Sequence, residues 1–205
     1  MADNFIIHDF QPMGDEFDLK LDSHSNICLV IDTARVDHWL NEISQIEDQL
    51  NWENLYENTQ AEEYKSIAPV VVDLYEKSEL ISFVNQNAIW SSSTVLITYH
   101  CSFDEIVDHL RSLVFVRDKN RKNLFRFYSP QLLSYWISTL PEESIHSLLG
   151  PAERWIWKTN NHLDQAQVWN WILHKPEQKR QKNKTAWFEL SQKDIEILND
   201  FDKDK

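Results

Sequence analysis

The sequence predicts an α/β fold: a mixed sheet with parallel and antiparallel strands flanked by helices, closed around one core or divided into two lobes around a cleft. Two observations predict it. In the first half, short β-branched apolar runs alternate with stretches of helical periodicity, as in a sheet covered by helices. In the second half, apolar runs follow one another across short charged links, as in antiparallel hairpins. The length of 205 residues, 42% of them hydrophobic, suffices for a substantial core, because a chain of this size buries roughly 70% of the surface its unfolded form exposes.

The elements follow in order. The first 25 residues are polar and acidic and read as an arm or a peripheral strand. Asn26–Asp32 (NICLVID) is a buried strand, and Thr33 is placed to cap a following helix. In that helix Trp39, Ile43, Ile46 and Leu50 form an apolar stripe, opposite an acidic face with Glu42, Glu47 and Asp48. Leu55-Tyr56-Glu57 is followed by a strand over 69–74, with Pro69 at its first position. A short helix spans Glu79–Val84, and Thr94–His100 is a further strand.

Ser102-Phe-Asp-Glu105 is a capping box, opening a helix that carries Ile106, Leu110 and Leu113 on one face. Val114–Arg117 and Asn123–Tyr128 read as a hairpin around a charged turn. Ser129-Pro130 starts a helix, with Ser as the cap, and Leu132, Leu133, Trp136 and Leu140 line one side. A second helix runs from Pro141 to the stop at Gly150-Pro151. Arg154–Lys158 alternates like a half-exposed strand. Val168–Leu173 and Thr185–Leu190 are further strands on either side of a basic stretch, and Ser191 caps a last helix.

Composition excludes several functions. The net charge is −13, and residues 1–79 carry 18 Asp/Glu against four Lys/Arg while the remainder is nearly neutral. Such a chain is a poor general nucleic-acid binder, since phosphate contacts need a basic face. The charge split reads either as a partner-facing surface or as a solvated face serving solubility. No apolar run approaches the ~18–20 residues of a membrane span, and Met1–Phe10 lacks the features of a signal peptide. A cytoplasmic protein that engages no membrane and no nucleic acid is expected. Cys28 and Cys101 read as buried reduced thiols rather than a disulfide.

For catalysis, His100, Asp104, Asp108 and His109 are the one tempting cluster, but their spacing matches no metal-ligand motif. Carboxylates at a helix start are expected on dipole grounds alone. With two Gly in the chain, a Gly-rich phosphate loop is hardly available, and no Gly-x-Ser-x-Gly element is present. No enzyme activity, cofactor or metal is expected.

One combination of motifs is more telling. Leu29-Val-Ile-Asp-Thr-Ala34, Leu55-Tyr56-Glu57, the Pro69 strand, His109-Leu-Arg111, Phe125-Arg-Phe-Tyr-Ser-Pro130 and Leu149-Gly-Pro151 occur in this order over about residues 27–157. The set resembles the effector adaptor chaperone domain of bacterial type VI secretion, long catalogued as a domain of unknown function. The chain departs from that pattern at Ser129, where the family usually has Asp; either residue caps a helix.

The resemblance implies a binding protein without catalytic residues. It would hold a cognate secreted effector, commonly by the effector's N-terminal region, and place it on the spike tip protein. An immunity-type protein or a small hydrolase of the same secretion cluster is the alternative. The implied organisation is an arm over 1–26, the adaptor domain over 27–160, and a C-terminal extension over 161–205 packed on the same domain. Candidate effector contacts are Arg111, Arg126 and Tyr128, the tryptophans Trp155 and Trp157, and the acidic Glu42, Glu47 and Asp48. Each has a plainer reading. The arginines can tie carboxylates such as Asp32, or carbonyl ends, into the core. The tryptophans, on one face of a strand, can be core, although Trp also anchors interfaces.

Overall fold

The computed structural model describes residues 5–6, 25–74, 78–118, 121–160, 167–174 and 188–189. The elements are β1 (Phe5–Ile6), β2 (Asn26–Ile31), α1 (Trp39–Ile43), β3 (Asn51–Asn54), a 3-10 helix (Glu62–Ile67), β4 (Val70–Leu74), α2 (Glu79–Gln86), α3 (Ala88–Ser91), β5 (Thr94–Tyr99), α4 (Phe103–Leu113), β6 (Phe115–Asp118), β7 (Arg121–Leu124), α5 (Pro130–Thr139), α6 (Glu142–Leu149), β8 (Ala152–Asn160), β9 (Gln167–His174) and β10 (Phe188–Glu189). Seven strands form one sheet in the order β1-β9-β8-β5-β2-β4-β3, and β10-β6-β7 form a small second sheet.

Every pairing in the seven-stranded sheet is antiparallel. The expected mixture of parallel strands there is corrected. The reason lies in the connection from β4 to β5. The helices α2 and α3 join two strands of like direction, but these settle on opposite sides of β2, so each pairs only with the antiparallel strand between them. The parallel pairing among the described residues is the two-residue β10 beside β6. The described chain forms a central sheet with a layer on each face, in place of two lobes around a cleft.

The strand alternation sorts the core into two halves. Cys28, Val30, Val71, Val95, Ile97, Trp155, Trp157 and Ile172 point to one face, against α4, α5, α6 and the Phe125–Tyr128 segment. Ile27, Leu29, Ile31, Val70, Val72, Leu96, Ile156 and Trp169 point to the other, with Ile43, Leu80, Val84 and Trp90 from α1, α2 and α3. β8 is therefore an interior strand. Trp155, Ile156 and Trp157 are all buried, which corrects the half-exposed reading of Arg154–Lys158.

Several local expectations meet the structure closely. Ser102 accepts from the Glu105 N–H and Glu105 accepts from the Ser102 N–H, a complete capping box, and Ile106, Leu110 and Leu113 of α4 are fully buried. β6 and β7 form the expected antiparallel hairpin. Its strands end at Leu124, however; Phe125 still donates to the Val114 carbonyl at 2.8 Å, and the chain then turns through Arg126–Tyr128 with Phe125, Phe127 and Tyr128 buried.

Other expectations are corrected. Thr33 caps no helix; its hydroxyl donates to the Ala68 carbonyl at 2.8 Å. The helix after it is only the five residues of α1, with His38 at its start in the left-handed region (φ 57°). The apolar stripe nevertheless holds, since Trp39, Ile46 and Leu50 pack with Ile43 on the same core. Strand β3 and helix α3 were not legible. Ser129 precedes α5, but its side chain makes no capping bond, and Pro130 sets the start. The expected helix after Ser191 and the basic stretch over 175–184 lie outside the described residues. No helix among the described residues is long and apolar enough to cross a membrane.

Candidate functional site

Most of the motifs read from the sequence converge at one end of the sheet, while Leu149-Gly-Pro151 lies at the other, where β8 begins beside the end of β5. Asp32 follows β2 and is buried, with its N–H donating to the Ser93 carbonyl at 2.9 Å. Its carboxylate accepts from Arg126 Nη2 at 2.5 Å. Arg126 reaches it because the segment after β7 runs as a turn: Phe125 and Phe127 point into the aromatic core against Trp136 and Trp155, which leaves the intervening Arg126 beside Asp32. The guanidinium also lies 5.9 Å from the ring centre of Tyr128. The Tyr128 and Tyr56 hydroxyls share a hydrogen bond of 3.0 Å, both rings buried.

Next to this group, Arg111 on α4 donates to Glu53 at 2.7 Å and to the Asn54 carbonyl at 3.1 Å. The Asn54 side chain accepts from the Tyr56 N–H at 2.9 Å and donates to the Lys65 carbonyl at 3.0 Å. Thus Arg111 fixes the corner between β3 and the Leu55-Tyr56-Glu57 segment. The third motif contact is between His109 and Leu149-Gly-Pro151. His109 is buried, its Nε2 lies 2.9 Å from the Leu148 carbonyl, and its ring rests on Gly150.

The electrostatics follow from burial. Desolvation, the largest single influence, disfavours the Arg126 charge, but Asp32 and Tyr128 together outweigh it and the net shift is upward. Burial raises the Tyr56 and Tyr128 phenols above their usual value; in Tyr128 the neighbouring Tyr56 adds to the rise. Tyr99, which donates to Asp73 at 2.9 Å, is raised for the same first reason, as is the buried thiol of Cys28. The two cysteines form no disulfide; Cys28 is buried, and Cys101 is only half-buried and lies beyond the end of β5.

These phenols set an alkaline limit. Their folded pKa values exceed the unfolded ~10, so the folded chain keeps protons that the unfolded chain releases. The stability they contribute is intact below pH ~10 and falls as pH rises above it. Urea unfolding should therefore show a steady midpoint up to about pH 10 and a steep decline beyond. Tyr56→Phe combined with Tyr128→Phe should make that decline shallower. An unchanged alkaline slope in the double variant would mean that this pair keeps no protons on folding.

The remaining candidates fall apart spatially. Trp155 and Trp157 are core residues, and Trp157 Nε1 donates to Ser134 at 2.6 Å. Glu42 of α1 accepts from Trp90 Nε1 of α3 at 2.9 Å, and Glu47, in the segment after α1, accepts from the Ser78 hydroxyl at the start of α2; Asp48 is exposed. His100 lies 3.6 Å from Glu153, while Asp104 and Asp108 face solvent and His109 is buried on Leu148. Among the described residues, no three His, Cys, Asp or Glu side chains gather as metal ligands. The residues that sequence reasoning passed over are Glu53 and Asn54. Their roles depend on β3, whose polar sequence NWEN carries no strand signal.

A family model described as "Domain of unknown function (DUF4123)" matches residues 28–147, more than half of the chain. The chain belongs to the DUF4123 family. The DUF4123 stretch contains Asp32, Glu53, Asn54, Tyr56, Arg111, Arg126 and Tyr128, the whole polar cluster. Gly150 and the β8 tryptophans follow it. No curated protein and no solved structure matches the chain.

Proposed function

We propose that this protein is an adaptor chaperone of type VI secretion, which binds a cognate toxic effector in the cytoplasm and loads it onto the spike tip protein. The observation that carries the reading is the mutual engagement of the motif residues. Asp32 with Arg126, Tyr56 with Tyr128, Arg111 with Glu53 and Asn54, and His109 with Gly150 bind one another. Such motifs preserve a scaffold, and a scaffold whose motif side chains engage one another suits a binding module, whose partner contacts lie elsewhere on the surface. The motifs also occur in the order of the type VI adaptor pattern that the sequence resembles.

Co-purification with effector fragments tests the proposal. The adaptor should retain an N-terminal fragment of the effector and ignore the isolated toxic domain. Retention of the toxic domain alone would assign it to the immunity class instead.

A further inference from the structure

Among the described residues the sheet ends at β3, and no described strand pairs with its outer edge. Leu55 donates its N–H to the carbonyl of Pro69 directly opposite, at 3.0 Å. Antiparallel alternation then turns the main-chain groups of Trp52 and Asn54 away from β4. The outward Asn54 carbonyl is taken by Arg111; no described residue pairs with the main chain of Trp52. Trp52 is 38% exposed as a residue, and its ring stands edge-on to Trp39 at 5.2 Å, so an aromatic pair flanks this position.

The chain flanking this edge is acidic, and the cation Arg111 meets it at Glu53 and Asn54. Residues 36–64, which lead into and out of β3, hold eight carboxylates and no Lys or Arg. Glu42, Glu47 and Glu53 have partners within the fold. Asp37, Asp48, Glu57, Glu62 and Glu63 are exposed and make no ion pair among the described residues. An edge strand of the small sheet, β7, is different: its sequence is Arg121-Lys-Asn-Leu124, and basic residues on an edge strand discourage pairing. β3 has no Lys or Arg of its own, and Arg111 of α4 meets the outward main chain at Asn54, one end of the strand.

We infer that the β3 edge is the docking site for an extended, Lys/Arg-bearing segment of the partner, added to the sheet as an eighth strand. Main-chain bonds at Trp52 would supply the pairing, the Trp39–Trp52 pair an apolar contact, and the five exposed carboxylates the preference for basic side chains. The inference rests on the adaptor reading and names the kind of effector segment recognised.

The test uses the full-length protein and overlapping fragments of the effector whose export fails in a deletion strain. Amide hydrogen exchange of the complex should show new protection at Trp52 and its neighbours. Asp48→Lys with Glu57→Lys, both exposed positions, should weaken binding at least tenfold and reduce its salt dependence, with an unchanged urea midpoint. Trp52→Asp should weaken it further. Binding that leaves β3 unprotected and ignores these substitutions would overturn the edge proposal and leave the adaptor reading standing. Failure of wild type to bind any fragment would overturn both.

Discussion

Deleting the gene is expected to abolish export of one effector while the secretion machine continues to fire other cargo. An adaptor acts between a single effector and the spike, so its loss should affect delivery and not assembly. The effector's level inside the cell should fall as well, because a partner that binds the native state stabilises it by mass action. An immunity protein predicts the opposite pair of results. The effector would still reach the medium, and the deletion strain would be killed beside its parent. Effector in the medium and survival in co-culture, measured on one strain, separate the two readings. Normal export with self-intoxication would sink the adaptor proposal.

The largest expected effect of a single substitution is at Gly150. This residue closes α6 with φ 56° and ψ −124°, a region that is essentially closed to residues with a Cβ. Space is lacking too. A Cβ at Gly150 would lie 2.2 Å from Cε1 of His109 and 2.5 Å from Nδ1. The ring cannot swing aside freely, because it is buried and its Nε2 is held by the Leu148 carbonyl. Backbone strain of ~1–3 kcal/mol and overpacking of similar size add to a loss on the order of 4 kcal/mol for Gly150→Ala. That is a large part of a typical domain's stability. Combining it with His109→Ala should recover the overpacking share and leave the backbone share, which a double-mutant cycle in urea would separate. Full additivity of the two losses would show that the ring and the glycine are independent.

How much of this was legible differs by scale. Capping chemistry and apolar periodicity act within a few residues, so the capping box at Ser102, the buried face of α4, the β6–β7 hairpin and the stop at Gly150 could be read directly. Thr33 shows the limit of that reasoning. Its hydroxyl had two possible partners, a nearby helix N–H or the distant Ala68 carbonyl, and packing of β2 beside β4 chose the second. Ser129 repeats the lesson, since Pro130 alone starts α5.

The site divides in the same way. Arg111 and Arg126 stood out as charges in apolar surroundings, and a buried charge requires a partner. Asp32 was one candidate from the sequence, and it is the partner of Arg126. That Arg111 would meet Glu53 and Asn54 depended on β3, a strand made by its neighbour β4 and not by its own polar residues. The acidic residues were countable from the sequence, but a count does not separate carboxylates with partners in the fold from those that face solvent.

By itself, the sequence determined the helix boundaries with strong caps, the alternating faces of the interior strands, the acidic first half and the order of motifs that marks the family. The tertiary structure alone decided that β4 and β5 lie on opposite sides of β2, which makes the main sheet antiparallel. It also decided which carboxylates pair within the described fold, and that β3 is the last described strand of the sheet. The physical reason is range. Caps and periodicity are settled by contacts a few residues apart, whereas strand order and ion-pair choice are settled by which surfaces, some of them over 90 residues apart in the chain, come to lie together.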